Sequence, residues 1–404
     1  MASIRKHRWA TAKGEAREAW QVDFRDQNGK RRHKLFKLKK DADAYLVKAR
    51  NQVAEGTYTP DSSSATIREA TELWIERAKA EGLERSTITD YEWRRDHALA
   101  LIDPETKLAR LTTARCEQLR DDLVKAHGRT RARKILQGFK SIIKDAKRRG
   151  LIAHNPAADT AIGAGKRHQK QLEVGIDIPS PDEITALVDA ATDKALAMVC
   201  LAAFAGLRAS ELRGLRWSDL DLGSEPSITI RQRADRWQQI GSPKSVAARR
   251  TIGLGDTTAQ ALRAWKIAQP PVTYREDGEK KQRPATLVFG TSTDKPDTPS
   301  NLQQRLLDPL QVKAGVTSGV KVDEDGKPVL DQDGNQIPLA KYSWHKLRHY
   351  AISSWLAAGL DHKRCQRWAG HTTLVLTLDT YGHFIPVRDE HAMMAAAERA
   401  LLGG

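Results

Sequence analysis

Two arginines, two histidines and a tyrosine in the last half of this chain are the side-chain types needed to grip a phosphodiester and attack it without a metal. Arg208 lies in Ala205-Gly206-Leu207-Arg208-Ala209-Ser210-Glu211-Leu212, and His345 and Arg348 lie in His345-Lys346-Leu347-Arg348. His371 follows Gly370, and Tyr381 sits in Asp379-Thr380-Tyr381-Gly382-His383. A phosphodiester is anionic and slow to react. An enzyme must therefore neutralise its non-bridging oxygens, bring a nucleophile and protonate the leaving oxygen. Arginine suits the first task, because its planar fork grips phosphate bidentately and stays charged. A tyrosine, ionising at about 10, is a poor nucleophile unless cations or a base favour its phenolate.

Each stretch also has a plainer reading. Glu211, three residues after Arg208, shares its helical face, so the two are either a clamp with its anchor or a surface ion pair. His345 and Arg348 are spaced to project from one face of a helix beginning near Trp344. His345 and His349 have the i, i+4 spacing of zinc-binding helices. Lys346 stands where that motif needs glutamate, so no metal is expected. A histidine after glycine is often a cap or surface residue, and Tyr381 could be a packed aromatic.

Composition narrows the class of partner. The chain has 404 residues, more than one ordinary core accommodates, and two or three domains are expected. With 29% charged and 40% hydrophobic residues it reads as soluble and globular. The longest nearly continuous apolar stretch, residues 195–206, is too short to span a bilayer, and the N-terminus has no apolar signal-peptide core. Cys116, Cys200 and Cys365 are widely separated, without metal-type spacing, and read as reduced thiols of a cytoplasmic protein. Lys and Arg number 67 against 51 Asp and Glu, a net charge of +16. Such an excess implies a polyanionic partner, nucleic acid or an anionic membrane surface. Residues 1–60 hold 15 Lys and Arg against 7 Asp and Glu, a net of +8 and half the total.

Three regions follow from the patterning. In residues 1–60, Trp20-Gln21-Val22-Asp23-Phe24-Arg25-Asp26 alternates as a strand, Asn28-Gly29 signals a hairpin, and Lys30-Arg31-Arg32-His33-Lys34-Leu35-Phe36-Lys37-Leu38 is a very basic second strand. A helix begins at Asp41. The result is a small β-sheet backed by one helix, and Lys30, Arg31, Arg32 and Lys34 are its candidate DNA contacts, since β-ribbons can enter a groove. Beyond the polar linker Thr59-Pro60-Asp61-Ser62-Ser63-Ser64, residues 65–160 are helical in period. Arg131, Arg133, Lys134 and Lys140 belong to a basic run there that suits phosphate contacts. Residues 175–404 mix helices with the strands Ser227-Ile228-Thr229-Ile230 and Arg250-Thr251-Ile252, and helices fill most of the remainder. Residues 320–339 carry two Asp-Gly turns and read as an inserted hairpin. An EF-hand is excluded by ligand spacing and the missing terminal glutamate. The fold class is thus multidomain and mainly α, with a small N-terminal sheet, an all-α middle and a mixed α+β C-terminal domain.

The four stretches together, taken in order, resemble the tyrosine recombinases, and more narrowly phage or prophage integrases. The resemblance covers the whole chain. It implies an arm-type DNA-binding domain at 1–60, a core-binding domain at 65–160 and a catalytic domain at 175–404. It implies that Tyr381 attacks the scissile phosphate to give a 3′-phosphotyrosine and a free 5′-hydroxyl. Arg208 and Arg348 would clamp the phosphate, with His345 and His371 hydrogen-bonding to it or moving protons, and Glu211 in support. The family also uses a lysine on a β-hairpin as general acid. Lys244, in Gly241-Ser242-Pro243-Lys244-Ser245, is the candidate, with Arg249 and Arg250 close by. Lys346 departs from the acidic residue often found at its position. Because the phosphotyrosine conserves the ester energy, no cofactor is expected, and no Walker loop is present. The resemblance further implies double-stranded attachment sites as partners, a homotetramer on DNA, an excisionase and a DNA-bending host protein. Residues 390–402 form an amphipathic helix that docks either on a neighbouring protomer or on its own subunit. A catalytically silent DNA-binding regulator on the same scaffold is the competing class.

Overall fold

The computed structural model describes residues 2–12, 15–56, 58, 60, 64–163, 171–243, 245–323, 325–386, 394–395, 398–399 and 401–402. The chain divides into two compact units, Met1–Lys166 and Arg167–Gly404.

The first unit opens with three antiparallel strands, β1 (Ser3–Ala10), β2 (Ala16–Arg25) and β3 (Arg31–Phe36), and a helix, α1 (Lys39–Ala54). Gly29 turns the β2–β3 hairpin at φ 75°, where the Asp26 carboxylate accepts the backbone N–H groups of Asn28 and Lys30, each at 3.0 Å. Strand period sends Val22 and Phe24 to one face, where they pack with Ala42 and Ala49 of α1 and with Tyr58. The patterning missed β1, whose run of basic residues around Ile4 lacks an apolar alternation; ten-residue β2 holds it by pairing Ser3 through Ala10 with Asp23 through Ala16.

A separate core follows, built by α2 (Ile67–Ala80), α3 (Arg85–Leu99) and α4 (Thr113–Arg148). Thr66 and Glu69 form a capping box that starts α2, with hydrogen bonds of 3.1 and 2.6 Å. Trp74, Leu119, Leu123, Ile135, Phe139, Ile142 and Ile143 recur at helical spacing and are all buried. Gly128 interrupts α4 at φ 67° and ψ 162°, a conformation that glycine adopts without a Cβ clash.

The second unit begins with α5 (Pro181–Ala190), α6 (Asp193–Ala203) and α7 (Ala209–Gly214). Pro181 sits in the first turn of α5, and Ser180 and Glu183 cap it reciprocally. α6 is sealed from Ala197 to Ala203, so it forms the centre of this core. Strands β4 (Leu220–Asp221) and β5 (Ser227–Ile230) come next, then the short pair β6 (Arg233–Ala234) and β7 (Ile240–Gly241), then β8 (Arg250–Gly253). Their three-stranded antiparallel sheet has the order β4-β5-β8, with Ile228 opposite Ile252.

After α8 (Asp256–Ala268) comes a hairpin of β9 (Val272–Glu276) and β10 (Glu279–Arg283), in a region expected to be helical. Asp277 and Gly278 both have positive φ, 51° and 85°, the two-residue turn that fits strand twist and overrides the surrounding charged residues. α9 (Pro299–Leu302) and α10 (Asp308–Lys313) flank a single π-helical turn. β11 (Thr317–Val320) and β12 (Pro338–Ala340) bracket the insertion, where Asp323 and Asp331 each close a tight turn by accepting backbone N–H groups. α11 (Trp344–Ala357), α12 (His362–Ala369) and α13 (Leu374–Tyr381) complete the unit. Among the described residues no helix is long and apolar enough to cross a membrane. Cys116, Cys200 and Cys365 are unpaired and buried, and burial pushes each thiol up to about 11.

Candidate active site

The inward stripe of α11 runs Trp344, Leu347, Arg348, Ala351, Ile352, Leu356. A guanidinium therefore occupies a position where helical period alone calls for a hydrophobe. Arg348 is 1% exposed and donates to the carbonyls of Gly206 and Ala369, each at 2.5 Å. The same Nη2 lies 3.2 Å from His371 Nε2. Since the guanidinium can only donate, His371 accepts at Nε2 and carries its proton on Nδ1, which donates to Thr377 Oγ1 at 2.9 Å. Burial first, and then Arg348, Arg208 and Arg250, holds the His371 imidazole down at about 4. Burial also lowers Arg348 itself to about 9, with Arg208 adding repulsion.

Arg208 is the residue preceding α7. Its Nη1 donates to Glu211 at 2.8 Å and its Nη2 to the Gly370 carbonyl at 3.0 Å, while about a third of its side chain stays open to solvent. Gly206 and Gly370 make this possible. At φ 64° and 62° both adopt the left-handed conformation. A Cβ on Gly206 would lie 2.7 Å from the Trp355 ring, and one on Gly370 would lie 3.0 Å from Arg250 Nη1 and 3.3 Å from Arg208 Nη1. Gly370 ends α12, so the chain turns there and delivers His371 beside Arg348.

Glu211 is not a surface partner of Arg208. It is 2% exposed and takes both arms of Arg250 as well, Nη1 at 3.0 Å and Nη2 at 2.9 Å. Burial acts to raise its carboxyl, but Arg250, Arg208 and Arg348 outweigh burial and hold it at about 2. Arg250 also donates from Nε to the Trp368 carbonyl. The sequence carries a signal for this inward role: Arg250 and Ile252 alternate with Thr251 as a strand requires, which places Arg250 on the core face.

Tyr381 ends α13 and is 3% exposed. Its hydroxyl lies 2.5 Å from Nδ1 of His349, the residue after Arg348. The His371 ring stands nearly parallel to Tyr381, 6.3 Å away, and His345 packs edge-on to His349 at 4.4 Å. Burial pushes the Tyr381 phenol up to about 12, against the pull of Arg348 and Arg208. Burial and the neighbouring cations hold His349 down at about 3 and lower His345 as well. The i, i+4 spacing offers His349 only as a zinc partner of His345. Its Nδ1 faces the tyrosine instead. Lys244 lies outside the described residues.

A profile described as the phage integrase family matches residues 180–386, half of the chain, including all of these side chains. The chain belongs to the phage integrase family. It is accordingly a tyrosine-type site-specific recombinase. It is similar to a XerC-like tyrosine recombinase of Caldanaerobacter subterraneus subsp. tengcongensis, 23% identical over 381 residues, covering 91% of this chain and 92% of that protein. A putative prophage phiRv2 integrase of Mycobacterium tuberculosis is 26% identical over 250 residues, 58% of this chain and 63% of that one. In fold, the chain resembles lambda integrase, solved as a tetramer on a Holliday junction: TM-score 0.54, 15% identity, 95% of this chain and 96% of that one.

The basic residues expected to touch DNA divide by strand face. Arg31 is exposed and lies 3.5 Å from Asp23, while Arg32 turns back to the Asp26 carboxylate at 2.7 Å. Lys34 lies over the Tyr45 ring at 4.7 Å, on the α1 side of the sheet, and Lys30 is exposed at the turn. On α4, Arg131 and Lys134 are exposed. Arg133 donates to the carbonyls of Ile162 and Gly163, and Lys140 to that of Thr160, so these two brace the segment that follows the helix.

Proposed function

We propose that this chain is a phage or prophage integrase that cuts and rejoins double-stranded attachment sites through Tyr381. The observation that carries the reading is the gathering of Tyr381, His349, Arg348, His371 and Arg208 through direct hydrogen bonds and the shared Gly370 turn. Arg208 and Arg348 neutralise the non-bridging oxygens of the scissile phosphate, and Glu211 fixes the approach of Arg208. Tyr381 Oη attacks phosphorus, a 3′-phosphotyrosine forms and the 5′ oxygen leaves. His345 and His371 hydrogen-bond to the phosphate, and Lys244 protonates the leaving oxygen. A second 5′-hydroxyl reverses the step and restores the tyrosine, so the ester energy is never lost and no nucleotide is consumed.

Residues 1–60 engage arm-type sites, 65–160 the core site and 175–404 carry the chemistry. The protein works as a homotetramer on DNA, with exchange of the C-terminal segment at 390–402 as the linkage; most of that segment lies outside the described residues. An excisionase and a DNA-bending host protein complete the set of partners. The prophage name of one relative and the tetrameric form of lambda integrase support this reading.

The test is a nicked suicide duplex carrying the DNA that flanks the gene. Wild-type protein should form a covalent adduct at one phosphate, with EDTA present as well as without it. Tyr381→Phe should bind the duplex and form none. Adducts from the Phe variant would remove the proposal.

A further inference from the structure

His349 lies within hydrogen-bond distance of the Tyr381 hydroxyl, yet the phosphate-binding scheme gives it no task. Its Nδ1 stands 2.5 Å from Tyr381 Oη, a separation that needs one donor and one acceptor. A phenol that has kept its proton is the donor, so the imidazole presents a bare Nδ1. We propose that His349 is the base that takes the Tyr381 proton as the phenol attacks the scissile phosphate. This rests on the reading of Tyr381 as nucleophile.

Two features of the surroundings fit that task. His349 sits among His345, Lys346, Arg348, His371 and Tyr381, and this cationic, partly buried setting keeps its ring neutral and its lone pair free. Tyr381 is buried and its phenol is held above its ordinary value, so it reaches the reaction protonated and needs an acceptor. The same setting supplies a trigger. A phosphodiester seated against Arg208 and Arg348 adds negative charge where the field had been positive, which raises the basicity of His349 only when substrate is bound.

The step balances. As the Oη–P bond forms, the proton on Oη passes to His349 Nδ1 and leaves its electron pair on oxygen. The P–O5′ bond breaks, its electron pair departs with the 5′ oxygen, and that oxygen takes a proton from the acid assigned to Lys244. Religation runs the sequence backwards and returns the proton from Nδ1 to Oη.

The experiment measures single-turnover adduct formation on the suicide duplex at saturating protein, with duplex affinity and melting temperature as controls. His349→Ala should slow it by roughly 10²-fold or more, the usual scale of a lost general base, with affinity retained. His349→Asn keeps an acceptor near the Nδ1 position but cannot carry a proton, and should stay slow. Replacing Tyr381 with a fluorinated tyrosine that is ionised at neutral pH should restore the rate in both variants, because no proton remains to be removed. Should His349→Ala fail to fold, the Asn variant with and without fluorotyrosine decides the matter alone. An Ala variant as fast as wild type overturns the proposal, and a faster one would make the contact a latch on a buried tyrosine. Full activity in the Asn variant, or no rescue by fluorotyrosine, overturns it equally. Tyr381→Phe separates the two levels: adducts in that variant remove the nucleophile, whereas their loss beside an unimpaired His349→Ala removes only the base.

Discussion

Glu211 and Arg250 form a two-pronged ion pair, at 3.0 and 2.9 Å, with side chains only 2% and 1% exposed. The carboxylate starts α7, beside Arg208, and the guanidinium starts β8. Through Trp368 and Gly370, whose carbonyls accept Arg250 and Arg208, the pair also holds the end of α12. Three segments distant in sequence are thus set by one buried carboxylate.

Removing that carboxylate should cost more than its exposed counterparts would. Glu211→Gln leaves Arg250 buried with half a partner, and breaking a buried pair typically costs about 3–5 kcal/mol. Denaturant midpoints would read it. The wild-type stability from Glu211 is complete above the ordinary carboxylate range, because its folded-state value is depressed, and is lost as pH falls toward about 2. Glu211→Gln should therefore lack part of the wild-type loss of stability in acid.

Arg208 and Arg348 should separate in their effects. Arg208 is partly open, so Arg208→Ala should slow strand cleavage by roughly 10²–10³-fold, as loss of one charge-stabilising donor does, with a smaller drop in melting than at the buried Arg348, because its bonds to Glu211 and the Gly370 carbonyl are also lost. Arg348→Ala should lower both, since its fork also satisfies the Gly206 and Ala369 carbonyls. Lysine cannot reproduce that fork, so Arg348→Lys should rescue neither fully. Adduct rates and thermal melts of the three variants test this.

Lys244→Ala should slow cleavage of an ordinary duplex and recover when the bridging 5′ oxygen is replaced by sulfur, which leaves without a proton. Absence of recovery would move the acid elsewhere, with His345 the next to test.

The two faces of β3 should give opposite phenotypes. Arg31→Ala, on the open face, should weaken arm-site binding and lower the salt dependence by about one counterion. Arg32→Ala should instead loosen the β2–β3 turn through loss of Asp26 and reduce melting. Titrations at several salt concentrations, with melts alongside, distinguish them.

Much of the site was legible because its parts are local. His345 and Arg348 at i, i+3, the glycine before His371 and the tyrosine before Gly382 can each be read within a few residues, but each alone also fits a cap, an ion pair or a packed aromatic, and only their order along the chain marks them as one candidate site. Arg250 was less legible: its alternation with Ile252 points it inward, but its partner Glu211 lies 39 residues away and nothing local shows which carboxylate it meets. His349 was hidden by its neighbour, because i, i+4 histidines suggest a metal while the tyrosine that faces it lies 32 residues on. The β9–β10 hairpin was missed for another reason. It is charged on both strands, so turn chemistry at Asp277-Gly278 rather than apolar period defines it.

Gly370 touches no substrate in any of these schemes, yet the space it leaves empty lets two guanidinium groups and the Ala248 backbone come within 3.3 Å of one α-carbon's missing substituent. Its backbone conformation, at φ 62°, is one that residues with a side chain adopt only at a cost, independently of that crowding. In a saturation library scored for recombination, codon 370 should be as intolerant as codon 381, and an invariant position there would report crowding rather than chemistry.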